Sequence, residues 1–253
     1  LDVLQIFGRA GRPQYEDMGV SYICTSGEKL PHYIESITSA HPIESTFLRG
    51  IVDALNAEVA LGSVTSLDDG ISWLGFTYLL TRLCKAPRVY GLDAHDFEAD
   101  PTLTQRRRQW ITYAANILAQ HQMVEFDLAA GTLRPTNMGR IASRYYLSHK
   151  TVGVFHERLR NNLVEADALS LMSRAADFDQ IPLRESEEEE LTSLLESVPC
   201  EVDGGTATAP GKVNILLQAH ISYLYVDDFA LVSDMRYVAQ NAGRVPVSYT
   251  HLR

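Results

Sequence analysis

At 253 residues the chain has room for one large domain or two to three small ones, and an apolar share of 45% with 21% charged residues places it among folded proteins with buried cores. Cys24, Cys84 and Cys200 are odd in number and widely spaced, which excludes a disulfide framework and a C-x-x-C zinc site and fits a reducing compartment; neither a signal-peptide pattern nor an apolar run of membrane-spanning length is seen. The formal charge of −10 argues against nucleic-acid binding by the chain as a whole, so any such contact has to come from a local excess of cations.

The first predicted element is a helix that carries Gln5-Ile6-Phe7-Gly8-Arg9-Ala10-Gly11-Arg12-Pro13-Gln14. If Asp2–Arg12 is helical, the i, i+3 spacing puts Arg9 and Arg12 on one face with Gln5 one turn back. Two permanently charged guanidiniums, separated by small residues, suit close contact with phosphate oxygens. An ordinary basic helix end or an Arg-Gly tract has the same composition. A loop through Pro13 and Gly19 follows, then a strand over Val20–Thr25 and a helix from Glu28 to about Ile37. A single strand between helices is the closing edge of a sheet and not a domain.

From His41 the pattern is helical. Pro42 opens a helix with Phe47, Leu48, Ile51, Val52, Leu55 and Val59 on one face, and Gly62 stops it. A second helix starts at Ser66 as N-cap, with Asp69 three residues on, and runs to Leu83 before Pro87. A third follows Pro101 through Trp110, Ile111 and Leu118, and a hairpin pairs Met123–Asp127 with Thr132–Arg134. Three helices and a β-wing make a winged helix. His41–Arg134 is net acidic, and its helices present only scattered cations, so a scaffold role fits better than reading of a DNA groove. Trp73 and Trp110 have the spacing of core residues, and Arg106-Arg107-Arg108 that of a solvated face.

Helices are predicted next at Thr136–Tyr146, Thr151–Leu163, Ala166–Ala176, Glu185–Val198, Lys212–Tyr223 and Ala230–Gly243, with a Gly- and Thr-rich surface loop over Val202–Pro210. The run Glu185-Ser186-Glu187-Glu188-Glu189-Glu190 is read as an acidic helix start, favoured by the macrodipole, and not as a metal site. Residues 135–163 supply the local cation excess. Arg140, Arg144, Lys150, Arg158 and Arg160 stand against Glu157, with Tyr145, Tyr146, His149 and His156 interleaved. Such a pattern suits a single strand, whose backbone needs charge and whose bases stack on rings. It equally describes helices whose aromatics face a core while their arginines reach water.

The opening string resembles the sixth motif of superfamily 2 helicases, Q-x-x-G-R-x-G-R, and with Pro13-Gln14 it is similar to the large Ski-type subgroup that carries two helicase cassettes in tandem. Further segments match that family in order: Pro42-Ile43-Glu44-Ser45, Leu55-Asn56-Ala57-Glu58, Gly139-Arg140-Ile141-Ala142-Ser143-Arg144-Tyr145-Tyr146, Gly211–Gln218 and Val238–Ala242. Phe178-Asp179-Gln180-Ile181 and Tyr237–Ala242 look most like the first cassette of the cointegrator and ribosome-quality-control branch, as against the spliceosomal one. The resemblance implies a mainly α chain: the C-terminal edge of a RecA-like α/β domain over 1–40, a winged helix over 41–134 and the start of a Sec-type helical bundle over 135–244. Residues 245–253 depart from the family pattern and are read as a non-native tail.

It also implies roles. Arg12 becomes the arginine finger on the γ-phosphate of ATP, Arg9 stands beside it, and Gln5, Gly8 and Gly11 shape the nucleotide contact; Arg140 and Arg144 are candidates for nucleic acid. ATP and Mg are the expected cofactors, but the sequence holds no G-x-x-x-x-G-K-[ST] loop and no Asp-Glu-x-His string, so the metal ligands and phosphate cradle lie outside it. Alone, the chain is expected not to hydrolyse ATP. Expected partners are single-stranded RNA or DNA, the upstream RecA-like domains in cis and a multi-subunit complex, with no membrane, in nucleus and/or cytosol. The other reading is a non-catalytic interaction platform with a vestigial motif. Intact nucleotide-loop and metal motifs upstream would favour the helicase, and their decay the platform.

Overall fold

The computed structural model describes residues 2–11, 14–15, 18–38, 43–160 and 162–244. They fall into two units, one ending at Ser45 and the other beginning at Thr46.

In the first unit α1 spans Asp2–Phe7 and α2 spans Leu30–Thr38. The predicted strand over Val20–Thr25 is not formed: residues 18–26 take no ladder pairing, and Val20 and Tyr22 are exposed. A strand is stabilised by cross-strand hydrogen bonds and side-chain pairs, and none of the described residues offers a partner. The helical premise of the motif also needs correction. α1 stops at Phe7, and Arg9 N–H and Ala10 N–H bond three residues back, to the carbonyls of Ile6 and Phe7. Arg9 therefore sits in a turn beyond the helix. Arg12, Pro13 and the tail over 245–253 lie outside the described residues.

The second unit opens with a short 3-10 turn over Phe47–Gly50 and α3 over Ile51–Leu61, which ends at Gly62. Ser66 caps α4 (Leu67–Gly75) by accepting the Asp69 N–H, as its position predicts. The Asp69 carboxylate takes the hydroxyl and N–H of Thr65, and hydrogen bonds from Thr65 first and then Ser66 hold its pKa below the usual carboxylate value. The predicted second helix is two, because the chain turns at Phe76 and Thr77 before α5 (Tyr78–Lys85). A further short helix, α6 (Ala94–Ala99), precedes α7 (Thr104–Gln120). The wing follows: β1 (Val124–Asp127) pairs antiparallel with β2 (Thr132–Pro135), Val124 opposite Pro135. Leu133 N–H reaches the Thr65 carbonyl and Leu67 N–H the Gly131 carbonyl, tying the wing to the start of α4.

The bundle is α8 (Asn137–Tyr145), α9 (His149–Arg158), α10 (Glu165–Ser173), α11 (Glu188–Ser197), α12 (Ala209–Ile221) and α13 (Phe229–Ala242). α12 is its axis, with Gly211 through Ala219 all buried among α10, α11 and α13. A helix apolar on all sides is expected at such a position. The polar residues of α12 are matched: Gln218 exchanges hydrogen bonds with the backbone of Cys200, and its amide also donates to Asn214.

One core runs through the wing region and the bundle. Leu55, Val59, Ile111, Leu118, Met123 and Leu133 share a contiguous cluster with Val152, Phe155, Leu171, Phe178, Val213 and Val238. A second cluster, built on Leu191, Leu194, Ile215, Leu216 and Leu231, fills the far side of α12.

Candidate nucleotide and nucleic-acid contacts

In the first unit Gln5 lies exposed on α1, and Gly8 and Arg9 are exposed in the turn that ends it. Arg9 forms no ion pair among the described residues, so its guanidinium is free for an external anion. Gly11 has φ 84, a left-handed conformation in which a side chain is strained. A free guanidinium, an exposed amide and a glycine turn fit the phosphate end of a nucleotide.

In the second unit Arg140 and Arg144 sit one turn apart on α8, exposed and without an ion pair among the described residues. The helix is held in place at its N-terminal turn. Thr136 accepts the Gly139 N–H and donates its hydroxyl to the Met123 carbonyl at 2.9 Å, anchoring α8 to the end of the α7–β1 connection. Gly139 is required there, since a Cβ at that position would stand 2.0 Å from the Met123 carbonyl oxygen. Asn56 on α3 donates to the Gly139 carbonyl at 3.0 Å. Two of the family-like segments, Leu55–Glu58 and Gly139–Tyr146, thus meet through a buried hydrogen bond.

Between α3 and α8 runs a groove of about 700 Å³, with Arg140, Arg144 and Tyr146 on one side and Asn56, Ala57 and Leu61 on the other. Asn56 is 2% exposed, and its Oδ1 has no hydrogen-bond partner among the described residues. The aromatics of the basic segment divide. Tyr145 packs against the core, whereas Tyr146 is 81% exposed and stands at a left-handed φ of 56. His149 is engaged by Asp53, which accepts both its N–H at 2.6 Å and its ring Nδ1 at 2.9 Å. Arg158 and Arg160 line a separate polar depression with Glu157, Asp167, Glu201 and Asp203, where carboxylates offset them.

Other expectations sort as follows. Trp73 and Trp110 are half-buried against the core, with Trp73 edge-on to Phe47 at 5.5 Å between ring centroids. Arg107 is not a solvated side chain: it donates to the Ile71 carbonyl at 2.6 Å and the Thr102 carbonyl at 3.1 Å, bracketing α4 against α7. Arg108 pairs with Asp68 at 2.7 Å, and Arg106 lies 5.9 Å from the Trp110 ring. The acidic run begins as a 3-10 turn and only Glu188 onward is α-helix. Among the described residues no group of His, Cys, Asp and Glu is arranged to hold a metal ion.

The acidic run also conceals a centre that sequence reasoning missed. Lys212 and Glu187 are fully buried and 2.5 Å apart; Lys212 also donates to Asp234 at 2.7 Å and to the Pro182 carbonyl at 2.9 Å. Arg184 completes the network, bonding both Glu187 and Asp234. The available signal was a lysine beside Val213, Ile215, Leu216 and Leu217 in a mostly apolar helix, which marks a buried charge that needs a partner.

Comparison with known proteins matches the geometry. Residues 44–119 match a winged helix-turn-helix domain family, and residues 135–250 the Sec63 Brl domain family. The chain is 44% identical over 247 residues to activating signal cointegrator 1 complex subunit 3 of Bos taurus, covering 97% of this chain and 11% of that protein. It is 45% identical over 246 residues to the RQC trigger complex helicase of Saccharomyces cerevisiae, covering 96% of this chain and 12% of the relative. It is 40% identical over 245 residues to the human U5 small nuclear ribonucleoprotein 200 kDa helicase, 97% of this chain and 12% of that one. The chain thus spans about an eighth or less of these relatives. Collinear identity along nearly its whole length, with the winged helix and the Sec-type bundle in the same order, means that the chain belongs to the Ski-type superfamily 2 tandem-cassette helicase family, as a segment of such a protein.

Proposed function

We propose that the chain is the part of an ATP-dependent nucleic-acid helicase cassette that senses nucleotide at its start and couples the response to a single strand of RNA and/or DNA. The observation that carries this is the collinear identity of 40–45% with proteins named as helicases. Residues 1–40 serve as the end of the second RecA-like domain, 41–134 as the winged helix and 135–244 as the start of the bundle. The upstream RecA-like domains complete the ATP site in cis, and the assembly works within a multi-subunit complex in nucleus and/or cytosol.

ATP with Mg supplies the phosphoryl group whose hydrolysis drives movement, and its metal ligands lie outside this segment. The segment's own residues bind and orient. Arg12 is assigned the arginine finger and Arg9 the neighbouring phosphate contact; Gln5 orients the phosphate end, and Gly8 and Gly11 let the backbone approach it. Exposed Gln5, unpaired Arg9 and the left-handed Gly11 support the assignment. Arg140 and Arg144 are assigned to phosphates of the strand, with Tyr146 beside them as a stacking ring; their exposure along one groove supports this.

The test is Arg12→Lys in the longer protein. The substitution keeps the charge and removes the planar two-point donor. Turnover of the cassette is expected to fall by at least about a hundredfold, with nucleotide affinity changed much less, because the contact strengthens as charge develops in the transition state. Unchanged turnover would leave the non-catalytic platform as the function.

A further inference from the structure

The formal charge of −10 is not spread along the chain. Residues 185–235 carry seven glutamates and four aspartates against Lys212 alone, a net −10, so the remaining residues balance to zero. Lys212 is spent inside the bundle on Glu187 and Asp234. The exposed remainder, including Glu188, Glu189 and Asp227, gives this end of the bundle a negative field.

The turn between α12 and α13 stands against that acidic end. Along Tyr223-Leu224-Tyr225-Val226 the side chains alternate: Leu224 and Val226 pack into the cluster with Leu191 and Leu231, which turns both tyrosines outward. Tyr223 is 94% exposed, Tyr225 84% and Phe229, the first residue of α13, 88%. The turn is held firmly. Asp227 and Asp228 donate their N–H groups to Glu190 at 2.6 and 3.0 Å, Leu224 N–H reaches the Ala219 carbonyl at 2.9 Å, and Asp228 accepts the Leu231 N–H at 2.9 Å. Glu190 therefore couples the acidic first turn of α11 to the aromatic turn.

Three large rings on an already ordered turn are costly to leave in water, and such aromatics are the common anchors at the centres of interfaces. Binding there would order little that is not ordered already. The negative rim repels nucleic-acid backbones, anionic lipid and a second copy of the same surface, and selects a cationic partner. After Lys212 the next Lys or Arg along the chain is the exposed Arg236, two turns into α13, so the turn itself and α11 carry no Lys or Arg.

We propose that this corner, formed by Tyr223, Tyr225 and Phe229 beside the first turn of α11, is a docking surface for a basic segment of a partner protein, whose Lys or Arg residues flank an apolar anchor. It is independent of the nucleotide and strand contacts assigned above.

The test is fluorescence anisotropy with a labelled synthetic peptide of alternating Lys and Leu around a central Trp, titrated with the 253-residue chain. Saturable binding that weakens as salt rises is expected. Tyr223→Ser with Phe229→Ser should weaken it at least about tenfold, and Glu188→Lys with Glu189→Lys by a similar factor. All four side chains are exposed, so circular dichroism should show unchanged folding; Tyr225→Ser serves if a double variant does not fold. A peptide with the same lysines but Ser in place of Leu and Trp should bind at least about tenfold more weakly. Equal binding of the two peptides, or no effect of the aromatic variants, would reduce the surface to bulk charge and overturn the proposal. So would binding that disappears when the chain is extended by the rest of a helicase cassette, since the corner would then be covered in cis.

Discussion

Lys212 shows how much a single residue can carry. Its ammonium and the Glu187 carboxylate are both fully buried, and together with Asp234 and Arg184 they form a closed network of two cations and two anions. Removing one partner of such a group leaves a charge in a low-dielectric site, which costs more than the pair contributes. Lys212→Met is expected to destabilise the chain by about 3 kcal/mol, the lower end for a broken buried pair because Arg184 still faces both carboxylates. A urea titration checks this through its midpoint; a loss below about 1 kcal/mol would mean that Arg184 suffices by itself.

The same residues set an acid limit. Burial alone would raise the Asp234 carboxyl, but the hydrogen bonds and charges of Lys212 and Arg184 outweigh it and hold its pKa below the ordinary value. At the junction of α7 and α9, burial first and then the neighbouring His149 lower the pKa of His121. Both groups are lowered in the folded state, so the sign is common. Stability is fully present above each unfolded pKa, about 6.5 for histidine and about 3.9 for aspartate, and is lost as pH falls from there toward the folded value. Stability should thus be flat above about pH 6.5 and fall in two stages on acidification. His121→Gln should remove the upper stage and Asp234→Asn should shrink the lower, to which Asp69 also contributes, read from denaturation midpoints across pH; a profile unchanged by either variant would refute the assignment.

At the scale of elements, most helices were legible, some of their starts were, and the breaks between them were not. Capping residues mark their starts: Ser66 accepts the Asp69 N–H at α4, and Thr136 the Gly139 N–H at α8. The break at Phe76 escaped because apolar residues continue at helical spacing across the turn, although Leu74 packs in the main core and Leu79 and Leu83 in a separate cluster with Leu92 and Leu103; the short α6 escaped as well. The strand over Val20–Thr25 shows the converse, a period-2 pattern that stays unpaired without a neighbour. Elements approach closely where α8 crosses the α7–β1 connection, at Gly139. Gly139→Ala would drive a methyl into the Met123 carbonyl, an atom already bonded by the Thr136 N–H and unable to move alone. A loss of about 2–4 kcal/mol is expected, in the range of overpacking with backbone displacement, and thermal melting would measure it.

At the scale of the whole second unit, winged helix and bundle are one packed body: a single core passes from α3 and α7 into α9, α10 and α12, and Asp53 on α3 binds the start of α9. A scaffold joined in this way holds α8 and its arginines on a rigid base, so that a contact at Arg140 or Arg144 is transmitted to the winged helix without a hinge. Arg140→Ala with Arg144→Ala in the longer protein is expected to weaken single-strand binding and to flatten its salt dependence by about two charges' worth of slope. Binding isotherms at several salt concentrations check it, and an unchanged slope would make both residues structural.

Sequence by itself determined the family and the order of winged helix and bundle, and it supplied the residues proposed for nucleotide, because these depend on local patterns: capping residues, apolar periodicity and a short motif of fixed spacing. Tertiary structure decided which charges are inside and which are free. Arg107 reads as an ordinary surface cation until a carbonyl from a distant element is brought to it, and the carboxylates that match Lys212 come from elements its own helix does not reveal. Tyr145 and Tyr146 are neighbours in sequence, yet the end of α8 sends one to the core and the other into water. The cost of burying a polar group depends on partners far along the chain, and only folding brings those partners within hydrogen-bond reach.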